Sequence, residues 1–271
     1  MSKASGERPT GLSVVIPTLD RLDLVLRAIE SVQCATPERA EIVVIDDGSA
    51  VDLRPQLPVR NGSGISVRSF RFARNRGPQA ARNLGIRRAN FSHIAFLDSD
   101  DTFLAEKLDR VLAELDTSQA LDLLFHRVQG MPKYTGLAHA WLRVSRFVPM
   151  HWWLVMLNPI PTPALVIRRQ CRLGVTKFRH CEDWAFLLRY VQAGCRVRYV
   201  DQELCVVHRP PGTAGGLSGA VWRMRVGEFR ARLVLLRHFK QASVSALARL
   251  ALGSLAGAFR ILNDAVRGRY F

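Results

Sequence analysis

Three aspartates within four positions, Asp98-Ser99-Asp100-Asp101, close a short apolar run from His93 to Leu97. A second acidic pair, Glu182-Asp183, opens an amphipathic stretch that runs from Trp184 to Tyr190. A strand that ends in Asp-x-Asp places two hard oxygen ligands at the carboxyl edge of a sheet, an arrangement suited to a divalent cation shared with a diphosphate. A carboxylate at a helix start is a candidate catalytic base. Each cluster also has an ordinary reading, because acids are favoured at helix starts. Three acids so close together repel one another, however, and a cation relieves that repulsion.

The elements that must position these residues can be read along the first 115 residues. Leu12 to Ile16 is a β-branched run closed by Pro17, and it predicts a buried strand. Leu22, Val25, Leu26, Ile29 and Val32 recur at helical spacing, with Asp20 as the expected N-cap. Further strands are expected at Glu41 to Ile45, Ile65 to Phe72 and His93 to Leu97, and further helices at Pro78 to Ala89 and Leu104 to Leu115. This alternation predicts an α/β fold, a Rossmann-like, mostly parallel sheet with helices on both faces. Ligands of such sheets bind at the carboxyl ends of the strands. There the chain places Thr18 and Asp20, Asp46 and Asp47, and Asp98 and Asp100. The second half predicts strands at Asp122 to Val128, Ala164 to Arg168 and Arg196 to Val200, and a helix from Glu182 to Gln192. Neither a G-x-G-x-x-G nor a Walker A pattern is present.

Composition narrows the classes. The chain has 271 residues, 48% of them hydrophobic, and a net charge of +16. Nine arginines and no acid fall between Leu53 and Leu97, and ten Lys/Arg against two acids fall between Val221 and the end. Basic stripes of this kind fit nucleic acid, anionic lipid or a phosphorylated substrate. No nucleic-acid recognition module accompanies them, so nucleic acid is not the expected partner. Five cysteines, an odd number without a CxxC pair, argue against a disulfide framework or a zinc site and for a reducing cytoplasm. Met1 to Thr10 is polar, and residues 1–10 are expected to be disordered. The stretch from Phe147 to Ile167 is long and nearly uncharged, but Pro149, Pro159, Pro161 and Pro163 break any spanning helix. Trp152-Trp153 reads as core packing, with a stacking wall for a sugar or lipid tail as the functional counterpart.

In this order the motifs resemble the family 2 glycosyltransferases. The resemblance rests on Val14-Val15-Ile16-Pro17-Thr18, Asp46-Asp47-Gly48-Ser49, Asn75-Arg76-Gly77 with Ala81-Arg82-Asn83-Leu84-Gly85-Ile86, Phe96-Leu97-Asp98-Ser99-Asp100-Asp101 and Glu182-Asp183-Trp184. It covers about residues 10 to 210 and implies the GT-A fold. It further implies a nucleotide-binding half at 11–101 and an acceptor half at 102–210. The last sixty residues carry no match, and the helical spacing of Met224, Phe229, Leu233, Leu236 and Phe239 among arginines predicts a basic helical segment at 211–271. By that resemblance Thr18, Asp20, Asp47, Arg82 and Asp98 meet the nucleotide-sugar, Asp20 standing where many members carry Asn. Asp100, with Asp98, would hold Mg2+ or Mn2+, and His208 would touch the diphosphate or the metal. Asp183 would be the general base, with Glu182 its competitor.

The activity this implies is an inverting, metal-dependent transfer from a nucleoside-diphosphate sugar, with a UDP-sugar the first expectation, to a hydroxyl acceptor. Cell-surface polysaccharide or glycolipid synthesis is the expected setting. The expected location is cytoplasmic, peripheral on the inner face of the membrane, where the basic C-terminal segment could meet anionic lipid. Two other classes stand beside it: a nucleotidyltransferase, which also pairs carboxylates with metal, and a protein that binds nucleotide-sugar or nucleic acid without turnover.

Overall fold

The computed structural model describes residues 8–118, 121–131, 160–169, 184, 187, 195–209 and 226–228. The chain divides into two compact units, the first comprising Met1–Met131, Ile160–Val175 and Arg196–Arg209. All the secondary structure discussed below belongs to this first unit.

Its centre is one eight-stranded sheet. The strands are β1 (Leu12–Thr18), β2 (Ala40–Asp46), β3 (Ser66–Arg71), β4 (His93–Phe96), β5 (Thr102–Phe103), β6 (Leu123–Gln129), β7 (Leu165–Arg168) and β8 (Val197–Val206). The helices are α1 (Leu22–Glu30), α2 (Pro78–Arg88) and α3 (Lys107–Thr117). In space the strands run β3-β2-β1-β4-β7-β6-β8-β5. Every residue of β1 and β2 is buried, which is why both read as unbroken apolar runs rather than alternating ones.

The first four strands pair in parallel, as expected. Beyond β4 the sheet is mixed: β7 runs antiparallel to β4 and to β6, β6 and β8 are parallel, and β5 is antiparallel to β8. The order reverses between β1 and β4. The chain steps outward through β2 and β3, then returns past both to β4. Right-handed crossovers therefore place α1 and α2 on opposite faces of the sheet. The carboxyl ends of β1 and β4 become the topological switch point, where such sheets bind ligands.

Two local expectations are corrected. Strand β1 does not stop at Pro17 but continues through it to Thr18, with Pro17 in register with Ile45. The backbone of Val15 faces β4, since its carbonyl accepts from Leu97. Pro17, two residues on, faces the same side, where the β1–β4 ladder has ended, so its missing N–H costs no bond. Asp20 is not the cap of α1. Arg21 occupies that position, and no side chain caps the helix. In contrast, Gly77 and Pro78 open α2 as the sequence predicts. Gly85 brings α2 against β1 so closely that an added Cβ would collide with Val15.

Residues 9 and 10 lead directly into the sheet, the Pro9 carbonyl accepting from the Ser92 amide, and residues 1–7 lie outside the described residues. Among the described residues, Cys34 and Cys205 form no disulfide. Among the described residues no helix is long and apolar enough to cross a membrane.

Candidate active site

The carboxyl edge is assembled from four chain segments. After β1 the chain turns at Asp20, which adopts a left-handed φ of 53°. Its amide donates to Ser49 Oγ (2.9 Å), and its Oδ1 accepts from the Ala50 amide (2.7 Å). These bonds tie the β1 loop to the β2 loop and hold a conformation that costs a non-glycine residue energy. Asp20 is thus a strut between two loops, with its side chain at the surface.

After β2, buried Asp46 accepts from the Ser49 amide and hydroxyl, and Arg71 lies 3.4 Å from its other oxygen. Asp47 is 4% exposed. Its Oδ1 accepts from the Arg76 amide and its Oδ2 from the Gly77 amide, both at 2.8 Å. Burial raises the pKa of Asp47, and these two N–H groups oppose the rise. Gly48, at φ +84°, lets the same loop approach. A Cβ there would stand 2.5 Å from the carbonyl carbon of Arg74. Asp47 therefore fastens the loop that starts α2.

From α2, Arg82 reaches across to the end of β4, and its Nη2 lies 2.6 Å from Asp98 Oδ1. Asp100 stands beside it. Arg21 Nη1 is 3.1 Å and Arg209 Nη1 3.8 Å from Asp100 Oδ2, while Arg27 donates to the Asp100 carbonyl (2.7 Å). Asp101 turns inward and is 4% exposed. Burial, reinforced by the charges of Asp98 and Asp100, pushes its pKa up to about 8 against the bond it accepts from the His208 amide. His208 is exposed, with Nε2 2.9 Å from the Thr102 hydroxyl. Its pKa is lowered by partial burial and by Arg27, with Asp100 opposing.

Among the described residues, buried polar atoms at this edge without a hydrogen-bond partner include Thr18 Oγ1 at the end of β1, Asp46 Oδ2 at the end of β2 and Gln79 Nε2 on the first turn of α2. A buried polar atom left unsatisfied costs about 1–3 kcal/mol, so a polar partner, solvent or ligand, is expected beside each.

The structure thus gathers Thr18, Asp20, Asp47, Arg82, Asp98, Asp100 and His208 in one unit at one sheet edge. Glu182 and Asp183, like Trp152-Trp153, lie outside the described residues. Sequence reading missed Arg21, Arg27, Gln79 and Arg209. For Gln79 the available signal was its place in the first turn of a helix that follows a Gly-Pro start. The three arginines carry no local signal, because their partners lie far away in sequence.

The sequence profile of the family described as Glycosyl transferase family 2 matches residues 13–175. The chain belongs to the family 2 glycosyltransferases.

It is 33% identical over 159 residues to an uncharacterized glycosyltransferase of Rickettsia conorii, covering 58% of this chain and 26% of that one. It is 37% identical over 106 residues to the succinoglycan biosynthesis protein ExoU of Rhizobium meliloti, covering 39% and 31%. The first of these matches therefore spans about a quarter of the relative's length. Among solved structures, S. aureus TarS 1–349 superposes with a TM-score of 0.65 at 17% identity, over 94% of this chain and 74% of that one. The mannosyltransferase PcManGT of Pyrobaculum calidifontis, in complex with GDP-Man and Mn2+, gives 0.61 at 14% identity over 98% and 82%. At these identities the likeness is one of fold, and the fold is GT-A.

Proposed function

We propose that this glycosyltransferase moves a sugar from a nucleoside-diphosphate donor to a hydroxyl acceptor with inversion at the anomeric carbon. The observation that carries the reading is the switch-point edge itself. There the carboxylates Asp98 and Asp100, the four arginines beside them and the unsatisfied polar atoms of Thr18 and Gln79 lie along one sheet edge. A nucleoside diphosphate offers what this edge lacks: acceptors and donors for Thr18 and Gln79, and negative charge for the arginines. The structure of TarS with UDP-GlcNAc makes a UDP-sugar the first donor to test.

The donor set also fits a divalent cation. Magnesium and manganese sites commonly use one or two carboxylates together with substrate phosphates rather than an all-protein cage. Asp98 and Asp100 supply that pair of hard oxygens. Among the described residues no group of three metal-ligating side chains is found. When bound, Mg2+ or Mn2+ supplies charge to the departing diphosphate. The chain's own residues do the rest. Thr18 and Gln79 orient the nucleoside, Asp47 holds the loop that shapes its pocket, and Arg82 keeps Asp98 in place. Asp183 accepts the proton of the acceptor hydroxyl while the new carbon–oxygen bond forms. The bond from the anomeric carbon to the diphosphate oxygen breaks, and its electron pair leaves with the diphosphate.

ExoU and ExoO, both named for succinoglycan biosynthesis, support a polysaccharide or glycolipid acceptor. A membrane-borne acceptor would give the basic segment 221–271 its purpose, with the enzyme peripheral on the cytoplasmic face.

The deciding experiment is a screen of UDP- and GDP-sugars that reads released nucleoside diphosphate, with Mg2+, with Mn2+ and with excess chelator. Donor-specific release that vanishes with chelator and in Asp100→Ala is the expected result. Full turnover in chelator removes the metal assignment, and no release from any donor removes the donor class.

A further inference from the structure

The carboxylates that would hold the cation are already engaged. Asp100 is approached by three guanidinium groups, from Arg21 and Arg209 at its carboxylate and from Arg27 at its carbonyl. Asp98 is held by Arg82. Among the described residues, four guanidinium groups thus stand beside this acidic cluster. A bare divalent cation approaching Asp100 must compete with them, whereas one carried by a diphosphate brings negative charge that a displaced arginine can meet.

The two carboxylate partners differ in freedom. The Arg82 side chain is 9% exposed, but that of Arg21 is 35% exposed. Arg21 also has a defined anchor. It follows Asp20, whose left-handed turn is bonded on both sides to the Ser49–Ala50 loop, so the backbone that launches the Arg21 side chain is held while its guanidinium meets Asp100 at a partly exposed position. A half-exposed ion pair of this kind adds little to stability, so the fold does not depend on it.

We propose that Arg21 stands in for the cation on Asp100 until the donor arrives. Cation and nucleoside diphosphate then enter together, and Arg21 turns from the carboxylate to the diphosphate. Arg21 is in this sense a positioning residue that sets the order of binding. The inference rests on the glycosyltransferase reading above. While Arg21 holds Asp100, only the fraction of molecules with the pair open can take the ion, and the apparent affinity for the ion falls by that fraction.

The test measures Mn2+ binding to the full chain by electron paramagnetic resonance, without nucleotide, with UDP and with GDP, for wild type, Arg21→Gln and Arg21→Lys. Wild type is expected to bind free Mn2+ about tenfold more weakly than it does with its nucleotide present. Arg21→Gln is expected to bind free Mn2+ about tenfold more tightly than wild type and to lose affinity for the nucleotide. Arg21→Lys, which keeps the charge, is expected to stay close to wild type. Equal binding of free Mn2+ by wild type and Arg21→Gln overturns the inference, and if donor turnover persists it does so alone. Absence of any nucleotide-dependent Mn2+ binding overturns both the inference and the donor reading beneath it. Should Arg21→Gln not fold, wild type still decides the matter: Mn2+ bound as tightly without nucleotide as with it refutes the proposal.

Discussion

Among the described residues the largest fully buried side chain is a lysine, Lys107, at the start of α3. Its Nζ donates to the Pro163 carbonyl at 2.6 Å and stands 3.4 Å from the centroid of the Phe103 ring. Burial lowers its pKa from 10.5 to about 7. At about 1.36 kcal/mol per unit, that shift corresponds to a burial penalty of about 5 kcal/mol on the charged form. The unfolded chain keeps the proton up to pH 10.5, while the folded chain releases it near 7. The penalty is therefore in full force below pH 7 and fades as the pH rises to 10.5, so wild-type stability climbs through that window. Lys107→Met carries no proton and escapes the penalty. It leaves the Pro163 carbonyl unsatisfied, at a cost of about 1–3 kcal/mol at every pH. Lys107→Met is thus expected to be more stable than wild type by about 2 kcal/mol at pH 7 and less stable by about 1–2 kcal/mol at pH 10, a crossing of sign. Urea unfolding followed by circular dichroism at pH 7, 8, 9 and 10 measures it. Asp101 is present in both proteins and largely cancels in the comparison, and the Cys205 thiol, which couples to Lys107, is pushed up to about 12 by burial, above the range of the test. A difference that keeps the same sign and size from pH 7 to pH 10 would show that Lys107 bears no such penalty and would refute the reasoning.

Gly48→Ala should lower stability by about 2–3 kcal/mol, because a left-handed backbone alone costs an L-residue about 1–2 kcal/mol and the new Cβ would meet the Arg74 backbone. A thermal midpoint within a degree of wild type would contradict this. Asp183→Asn should cut turnover by at least about 100-fold while leaving donor affinity unchanged, since it keeps the shape and removes the base. If it retains turnover while Glu182→Gln loses it, Glu182 is the base. Truncation after Ala220 should abolish co-sedimentation with anionic liposomes, and intact protein should bind more with anionic lipid and less with salt. Salt-insensitive absence of binding by the intact chain would instead assign the arginines of 221–271 to a solvated surface.

The readable parts of this fold were those whose signal is local. Strands β1, β2 and β4 are buried on both faces, so their apolar runs announce them, and α2 is announced by Gly77-Pro78. What could not be read depends on partners far along the chain. Strand β5 has only two residues and exists because Thr102 and Phe103 pair with Val206 and Cys205. Strand β8 extends past the expected Val200 to Val206 through Asp201, Gln202 and Glu203. It does so because its ladder with β6 shifts register on both sides of Arg127, and Arg127 reaches Glu203 at 3.0 Å. Asp20 looked like a cap because aspartate favours caps, yet the β2 loop offered its carboxylate a closer amide. The arginines on Asp100 come from three places, before α1, within it and after β8, and no local pattern predicts that they converge.

That convergence separates the two acidic clusters of the nucleotide edge by what each can give up. Each oxygen of Asp47 accepts from a main-chain amide that sets the start of α2, so its carboxylate shapes the loop and still has lone pairs to offer a ligand. Buried Asp46 gives its Oδ1 to Ser49, while its Oδ2 stands 3.4 Å from Arg71. Asp98 and Asp100 are paired with guanidinium groups on flexible stems, and a guanidinium can be exchanged for another cation while the backbone stays where it is. The Asp46-Asp47 cluster therefore builds the pocket. On the proposed function, charge arriving with a donor would be met at the Asp98–Asp100 cluster, whose guanidinium partners are the groups it would displace.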